Sequence, residues 1–218
     1  MEIISKGIGI KKFAPEIIHL NFDFNVKSQV YDKALSDGVR AVDVFVQLLE
    51  KLGYKKTDFK TNSFRVYEEI KYDPKKQENV RLGYIYNHNA NMEFGYDIAR
   101  LADIVQEISK LKDGPRVNIA FMLKNEDGAK SKCIDLAFKN AKSKAEAIAK
   151  SAGKKLKDCK KVSFETFDGP IQSNSKFEGA AKMGVYADNM RVREAIGNVL
   201  VPEDIEIEEV LFCLFDAE

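Results

Sequence analysis

Strict alternation of apolar and polar side chains constrains this chain most, because a strand with one buried face is the structure that requires it. Five apolar residues alternate with polar ones between residues 16 and 26, namely Ile18, Leu20, Phe22, Phe24 and Val26. A second run, from Tyr84 to Phe94, alternates in the same way. Both patterns predict half-buried strands of an antiparallel sheet with one solvated face.

Other strands are indicated by apolar or β-branched runs between turn signals. A strand at 3–12 is expected to turn at Phe13-Ala14-Pro15 and pair with the strand at 16–26. A long hairpin is expected from 59–72 and 81–94. Further strands are predicted at 117–123, 162–167 and 205–215, the last with a bulge or with burial on both faces at Glu209-Val210, where its alternation breaks.

Three segments have the periodicity of helices. The first is expected to be capped by Ser28 and to stop at Gly53, the second runs from Asp97 to about Leu111, and the longest ends at Gly153. The longest helix has a regular seam with small residues that permit close packing. Its predicted members are Ile134, Phe138, Ala141, Ala145, Ile148 and Ala152.

These elements predict an α+β fold in the order β-β-α-β-β-α-β-α-β-loop-β, with helices packed on one face of an antiparallel sheet. We expect one domain over residues 1–218, interrupted by a long irregular insertion at about 169–201. That insertion has the length of a functional loop, an inter-subunit arm or partly a helix. Its large apolar side chains are expected to be partly buried, namely Phe177, Met183, Tyr186, Met190 and Val192.

Composition places the chain among ordinary globular proteins, with 44% hydrophobic and 32% charged residues. No run approaches the roughly 18 apolar residues of a membrane span. The start of the chain, residues 1–7, has no basic segment followed by an apolar run, so we expect no export signal and a cytoplasmic location. The three cysteines, Cys133, Cys159 and Cys213, have no disulfide or zinc spacing and are expected to be reduced.

Two stretches resemble the SIMPL-domain family. The first is Ala141-Lys142-Ser143-Lys144-Ala145-Glu146-Ala147-Ile148-Ala149-Lys150-Ser151-Ala152-Gly153-Lys154-Lys155-Leu156, and the second is Gly83-Tyr84-Ile85-Tyr86-Asn87. The element order is also similar to that of the family. The resemblance implies helices packed over antiparallel strands, ring-like oligomers in some relatives, and loosely defined interaction or stress-related functions. It implies no catalytic motif.

The two histidines, His19 and His88, are candidates for a metal or proton-relay pair. His19 falls on the polar face of its strand and His88 on the apolar face of another. If the strands share a sheet, the two side chains point to opposite sides, so we predict no joint site. On the other face of that strand, opposite Tyr84, Tyr86 and Met92, the residues Asn87, Asn89 and Asn91 are expected to form a ladder that faces solvent or rims an interface.

Two other motifs are weak. Gly7-Ile8-Gly9 is similar to a glycine-rich phosphate loop but lacks its third glycine and its following helix. Cys133 and Cys213 fall inside predicted elements, and Cys159 lies beside lysines with no histidine nearby in sequence, which makes it only the cysteine most prone to oxidation.

Charge is unevenly distributed. Residues 124–161 hold twelve lysines and five acids, whereas 202–218 hold seven acids and no base, so the two segments are expected to neutralise each other. The lysine-rich segment 139–161 is also an alternative nucleic-acid or polyanion surface. It lacks the arginine and aromatic residues that read bases.

The sequence therefore predicts no catalytic, cofactor-binding or metal-binding residues and no cofactor. The expected function is that of a non-enzymatic, homo-oligomeric interaction protein. Polyanion binding through 139–161, and an enzyme or small-ligand protein with an unrecognised pocket, remain the alternatives.

Overall fold

The computed structural model describes residues 1–75, 77–167 and 200–218, together with the backbone of residues 182–184. Two compact units contain them. The three-stranded unit comprises Met1–Pro15, Leu123–Ala180 and Glu203–Glu218, and the five-stranded unit comprises Glu16–Met122 and Ala181–Pro202. The expectation of a single domain stays a prediction. The five side chains expected to be buried in the insertion lie outside the described residues.

The α+β class is confirmed: the described residues form three α-helices and strands that pair only antiparallel. The strands form two sheets where the sequence predicted one. The elements follow the predicted order, with a short additional strand in the predicted loop. They are β1 Glu2–Phe13, β2 Ile17–Ser28, α1 Tyr31–Lys51, β3 Lys60–Asp73, β4 Glu78–Gly95, α2 Ile98–Ile108, β5 Arg116–Met122, α3 Glu126–Ser151, β6 Leu156–Ser163, β7 Lys182–Gly184 and β8 Ile205–Ala217.

The predicted pairing of the first two strands is wrong. Strand β1 pairs along its whole length with β8, from Glu2 opposite Asp216 to Phe13 opposite Ile205. Strand β2 lies instead between β4 and β5 in the other sheet. The corner at residues 13–15 therefore carries the chain from one sheet to the other, which local sequence signals do not distinguish from a hairpin turn.

In the three-stranded unit, the sheet has the order β1-β8-β6 and helix α3 packs along β1 and β8. Strand β1 and helix α3 pack side by side because the spacings of their side chains are similar. Two residues of a strand advance about 6.6 Å, and four residues of a helix advance about 6 Å. Side chains two apart on β1 therefore meet side chains four apart on α3, and the small residues on both sides let the backbones come close.

The buried stripe of α3 follows this four-residue spacing. Its members are Ala129, Cys133, Ala137, Ala141, Ala145 and Ala149. The predicted seam is therefore wrong at Ile148, which is 48% exposed, and at Ala152, which is exposed. Ile134 and Phe138 lie beside the stripe and are only partly buried. The predicted seam follows the large apolar residues Ile134, Phe138 and Ile148, whereas this interface selects small side chains.

The C-terminal strands also differ from expectation. Strand β8 pairs with β1 without any register shift, so this pairing has no bulge at Glu209-Val210. The alternative prediction, burial on both faces, is confirmed, because every residue from Glu209 to Ala217 is buried or half-buried. Glu209 lies on the same face as the buried Ile207 and Leu211. The sequence alternation is interrupted because this acidic residue occupies a position in an otherwise apolar row. The register shifts lie between β6 and β8, and β6 begins at Leu156, earlier than predicted.

In the five-stranded unit, the sheet has the order β3-β4-β2-β5-β7. Helices α1 and α2 contribute Phe45, Leu49, Leu101 and Ile104 to a core that also contains the predicted inward row of β2. Asp97 caps α2 by accepting a hydrogen bond from the backbone N–H of Arg100 at 3.0 Å. The expected cap at Ser28 is wrong, because α1 begins at Tyr31 and Ser28 is the last residue of β2.

Candidate functional site

A chain of three hydrogen-bonded side chains is the most chemically distinctive feature of the five-stranded unit. The Nδ1 atom of His88 lies 3.0 Å from the hydroxyl oxygen of Tyr86, and its Nε2 atom lies 2.9 Å from the hydroxyl oxygen of Thr61. Tyr86 and His88 lie two residues apart on β4, so their side chains are on the same face of the sheet. Thr61 contacts His88 from the edge strand β3. Tyr86 is 2% exposed and His88 is 8% exposed, whereas Thr61 is on the surface.

Aromatic rings surround the imidazole of His88, with centroids of Phe24, Phe59 and Phe64 at 6.0, 6.1 and 6.3 Å. Burial lowers the pKa of His88 and raises the pKa of Tyr86, so both side chains are held neutral. Each ring nitrogen has a hydroxyl partner that can donate or accept, so either neutral tautomer is satisfied. The two hydrogen bonds thus satisfy a neutral polar ring inside an aromatic core.

The two histidines point to opposite faces of one sheet, as predicted. In the β2–β4 register, His19 lies opposite Glu93 and Phe24 lies opposite His88, which puts His19 among polar residues. The Nδ1 atom of His19 is 2.8 Å from the Oε1 atom of Glu93, and its Nε2 atom is 3.2 Å from the Oδ1 atom of Asn21. The sheet separates this pair from His88, so the two imidazoles share no site.

The asparagine ladder exists, and it is more enclosed than predicted. Asn87 donates to Asp23 at 2.8 Å and to Asn25 at 3.2 Å, and Asn89 donates to Asn87 at 3.1 Å. Asn87 is only 7% exposed, so the expectation that its side chain faces solvent is wrong. The amides are engaged with one another and with carboxylates, which gives this face a continuous polar surface that the alternation pattern had indicated.

Two cysteines lie in the core of the three-stranded unit. The thiol of Cys133 contacts the carbonyl oxygen of Ile207 at 3.4 Å, and burial raises its pKa. Burial also raises the pKa of Cys213 to about 11, with a smaller contribution from the neighbouring Cys159. Both groups are therefore thiols at neutral pH, and the thiolate is the nucleophilic form. Cys159 is half-buried and contacts the carbonyl oxygen of Lys161.

Gly7 and Gly9 serve packing in β1. A Cβ at Gly7 would lie 1.9 Å from the carbonyl oxygen of Ala137, and one at Gly9 would lie 1.9 Å from the carbonyl oxygen of Cys133. The two glycines are therefore explained by packing and not by phosphate binding, because both lie inside a strand whose backbone is in close contact with α3.

The outer edge of β1 is also covered by α3. The side-chain oxygen of Asn140 accepts a hydrogen bond from the backbone N–H of Ile8 at 3.1 Å. The ammonium group of Lys144 donates to the carbonyl oxygen of Lys6 at 3.0 Å. Two of the backbone groups that this edge would offer to another strand, the N–H of Ile8 and the carbonyl of Lys6, are thus already in use. Sequence reasoning missed both contacts, because they join residues more than 130 positions apart.

Lysines and C-terminal acids meet in this unit. Lys160 lies 3.2 Å from Asp216 and 3.5 Å from Glu2, and Lys157 pairs with Glu218. The hydrogen bond from Lys160 lowers the pKa of Asp216. The expected neutralisation therefore occurs at two lysines of β6. Four lysines of the segment 139–161 are exposed and available for polyanion binding: Lys142, Lys150, Lys154 and Lys155.

Apolar side chains are exposed on the face of the three-stranded sheet that points away from α3. Ile4 is 54% exposed and Ile10 is 50% exposed. Neighbouring positions on β8 add Val210, Phe212 and Leu214, which alternate with the buried row and are half-buried. We call this set, with Ile8, the outer apolar face.

Two surface hollows of the five-stranded unit are large enough to hold a small molecule or solvent. One has a volume of about 180 Å³ and is lined mainly by charged residues of α1 and of the segment that follows α2, including Asp37, Arg40 and Lys112. The other, of about 310 Å³, lies along the β3–β4 hairpin beside Tyr72 and Leu82. Ligand pockets usually span about 300–1,000 Å³ with convergent polar groups in an apolar wall. Neither hollow combines these properties.

Within residues 1–75, 77–167 and 200–218, no cluster of three or more histidine, cysteine, aspartate or glutamate side chains is placed to hold a metal ion. No helix in the described part of the chain is long and apolar enough to cross a membrane.

The order of strands and helices, the Gly-Tyr strand and the small-residue helix point to one family. The model of the SIMPL family, described as a protein of unknown function (DUF541), matches residues 3–209. The chain belongs to the SIMPL family. The match covers both units of this SIMPL protein, including the segment that the structure does not describe. A comparison with curated proteins gave no match.

Proposed function

We propose that this SIMPL protein is a non-enzymatic interaction protein that assembles with copies of itself. The outer apolar face carries the proposal. Ile4 and Ile10 stand half exposed on a sheet whose other face is filled by α3, and Val210, Phe212 and Leu214 continue the same surface. Contiguous exposed apolar surface on a soluble protein is typical of an interaction site.

A second copy fits this face because its charges are mixed. Lys6 and Lys12 project from β1 on this side, and Glu206, Glu208 and Asp216 project from β8. An apolar centre with both signs of charge at its rim can match a rotated copy of itself, as an isologous interface requires.

The residues that would carry chemistry support a non-enzymatic role. His88 is held neutral between two hydroxyl groups in an aromatic environment. Cys133 and Cys213 are buried with raised pKa values. These side chains are used in packing. The free thiols also support the cytoplasmic location that we propose, because a reducing compartment keeps cysteines unpaired.

The experiment is a mass measurement by light scattering on the wild type and on Ile4→Thr/Ile10→Thr. We expect the wild type to exceed the 24.6 kDa of one chain and the double variant to shift toward that mass. Val39→Thr is the matched control, because Val39 is 51% exposed on α1 in the other unit. A wild type that stays at 24.6 kDa at micromolar and higher concentrations would remove the proposal.

Polyanion binding is the second candidate, and the exposure of the four named lysines favours it. It predicts affinity for DNA or RNA that falls steeply with salt and weakens when Lys142, Lys150, Lys154 and Lys155 are replaced by glutamine. Binding that is undetectable, or insensitive to salt, would dismiss it. A thermal-shift screen against metals, nucleotides and metabolites tests the third alternative, a small ligand, because a ligand at about a hundredfold excess over Kd stabilises by about 2.7 kcal/mol.

A further inference from the structure

The outer edge of β3 is the longest strand edge that the described residues leave uncovered. One side of β3 pairs with β4 along the whole strand, and no described strand pairs with the other side. Three of its apolar side chains are more than half exposed: Phe64 at 53%, and Ile70 and Tyr72 at 56%. The edge of β1, by contrast, has backbone groups covered by α3. An uncovered, partly apolar edge is a template for another strand.

The side chains of β3 fall on two defined faces. Phe64 lies opposite His88 and therefore on the aromatic side of the sheet, and Arg65 lies opposite Asn87 on the asparagine side. The register shift after Glu69 is caused by one extra residue in β4, Leu82, which has no partner in β3. Because β3 itself has no extra residue there, its side chains continue to alternate between the two faces. From Ser63 onward, even-numbered residues share the aromatic face and odd-numbered residues share the asparagine face.

We propose that two copies of this chain pair edge to edge through β3, antiparallel, across a two-fold axis at Tyr67. The proposal rests on the proposed self-assembly and names a second interface for it, on the five-stranded unit, in addition to the outer apolar face. A two-fold axis that relates antiparallel edge strands of one sheet stands perpendicular to the sheet and leaves every side chain on its own face. Facing residues must therefore both be even-numbered or both odd-numbered.

Among the registers in which facing residues share a face, the one centred on Tyr67 brings opposite charges together. Centring on Tyr67 places Arg65 opposite Glu69 of the second copy, and this pair occurs twice. It also places Phe64 opposite Ile70 twice and Tyr67 opposite itself. Opposite charges and apolar pairs at facing positions stabilise a sheet, whereas like charges there destabilise it.

Neighbouring registers are less favourable. Centring on Arg65, Glu68 or Glu69 places that charge opposite its own copy. Centring on Val66 leaves Arg65 opposite Tyr67. Centring on Ile70 pairs Glu69 with Lys71, but it uses only residues 67–73, whereas the Tyr67 register uses 63–71.

Disulfide cross-linking tests the register. Directly opposite residues have Cβ atoms about 4.5–5.5 Å apart, close enough for a disulfide after small adjustments. The variants are made in a Cys159→Ser background, since Cys133 and Cys213 are buried. We expect Tyr67→Cys to form covalent dimers under mild oxidation.

Two further variants act as matched controls for each other. Phe64→Cys protein alone and Ile70→Cys protein alone should give little cross-linked dimer, because each cysteine lies several residues from its own copy. An equal mixture of the two should give covalent heterodimer. Cross-linking of Ile70→Cys alone would overturn the Tyr67 register in favour of the Ile70 register, and equal cross-linking of all samples would indicate random collision and overturn the pairing.

The wild-type mass separates failure of this interface from failure of self-assembly. A wild type that is oligomeric by light scattering, with neither Tyr67→Cys dimers nor the mixed heterodimer, would overturn the β3 pairing and leave the proposed function standing. A monomeric wild type with no cross-linking would overturn both.

Discussion

Gly38 of α1 lies against the ring of Tyr86, so closely that a Cβ on Gly38 would stand 2.1 Å from the Cγ atom of that ring. The glycine lies inside a helix, where it costs about 1 kcal/mol relative to alanine. Its presence is explained by the tyrosine, whose ring fills the space that a methyl group would need. The same contact seats Tyr86 for its hydrogen bond with His88.

Gly38→Ala should therefore destabilise the protein although alanine favours helices. Overpacking a core typically costs about 1–3 kcal/mol, more than the helical gain. The measurement is the free energy of unfolding in urea. Val39→Ala, at an exposed neighbouring position, is the control and should change stability by less than about 0.5 kcal/mol. A Gly38→Ala protein as stable as the wild type would show that the ring moves aside without cost.

Gly9→Ala tests the contact between β1 and α3. The new Cβ would meet the carbonyl oxygen of Cys133 at 1.9 Å and the backbone nitrogen of Ala137 at 2.5 Å. Because backbone atoms cannot rotate away, we expect a loss of about 1–3 kcal/mol or more in the free energy of unfolding. Gly95→Ala is the matched control at the end of β4, where an added Cβ meets no described atom within 4 Å. Equal stability of the two variants would contradict the close packing.

Much of the five-stranded unit could be predicted from the sequence, and less of the three-stranded unit. The alternation in β2 predicts its faces because that strand has one buried and one polar side. The predicted seam contains only Ala141 and Ala145 of the α3 stripe, because the contacts of that stripe select alanine and cysteine, which hydrophobic patterns rank low. The pairing of β1 with β8 joins the two ends of the chain, and no local signal indicates it. The contact between Thr61 and His88 could not be predicted, because the bulge between Thr61 and Ser63 shifts the register of β3 against β4.

Stability should fall as the pH falls through the titration range of His88. Burial lowers its folded pKa below the ordinary value of 6.5, so near and below that pH the unfolded chain binds more protons than the folded chain. The stabilising contribution of neutral His88 is thus complete above the unfolded pKa and is lost as pH falls through the folded pKa. Urea midpoints between about pH 7.5 and 5.5 measure this slope.

His88→Gln should flatten that slope, since an amide does not titrate, and His19→Gln should retain the contribution of His88. The chosen range lies above the ordinary pKa values of aspartate and glutamate, which limits their effect. An unchanged slope in His88→Gln would show that another group controls the pH dependence.

Asn140 offers a test of how α3 covers the edge of β1. Its side-chain oxygen accepts the backbone N–H of Ile8, which is only partly accessible to water. Asn140→Leu keeps a similar size and removes the acceptor, so we expect a loss of about 1–3 kcal/mol in the free energy of unfolding. Asn140→Asp keeps an oxygen at that position and should lose much less.

The contrast between the two Asn140 substitutions separates hydrogen bonding from packing, because leucine preserves bulk and aspartate preserves the acceptor. Lys139→Leu, at the preceding exposed position, controls for adding an apolar residue to the helix surface. Hydrogen exchange of the Ile8 amide is the second readout, and it should accelerate in Asn140→Leu beyond the change in global stability. Similar losses in the leucine and aspartate variants would mean that the amide group of Asn140, or its packing, matters more than its oxygen.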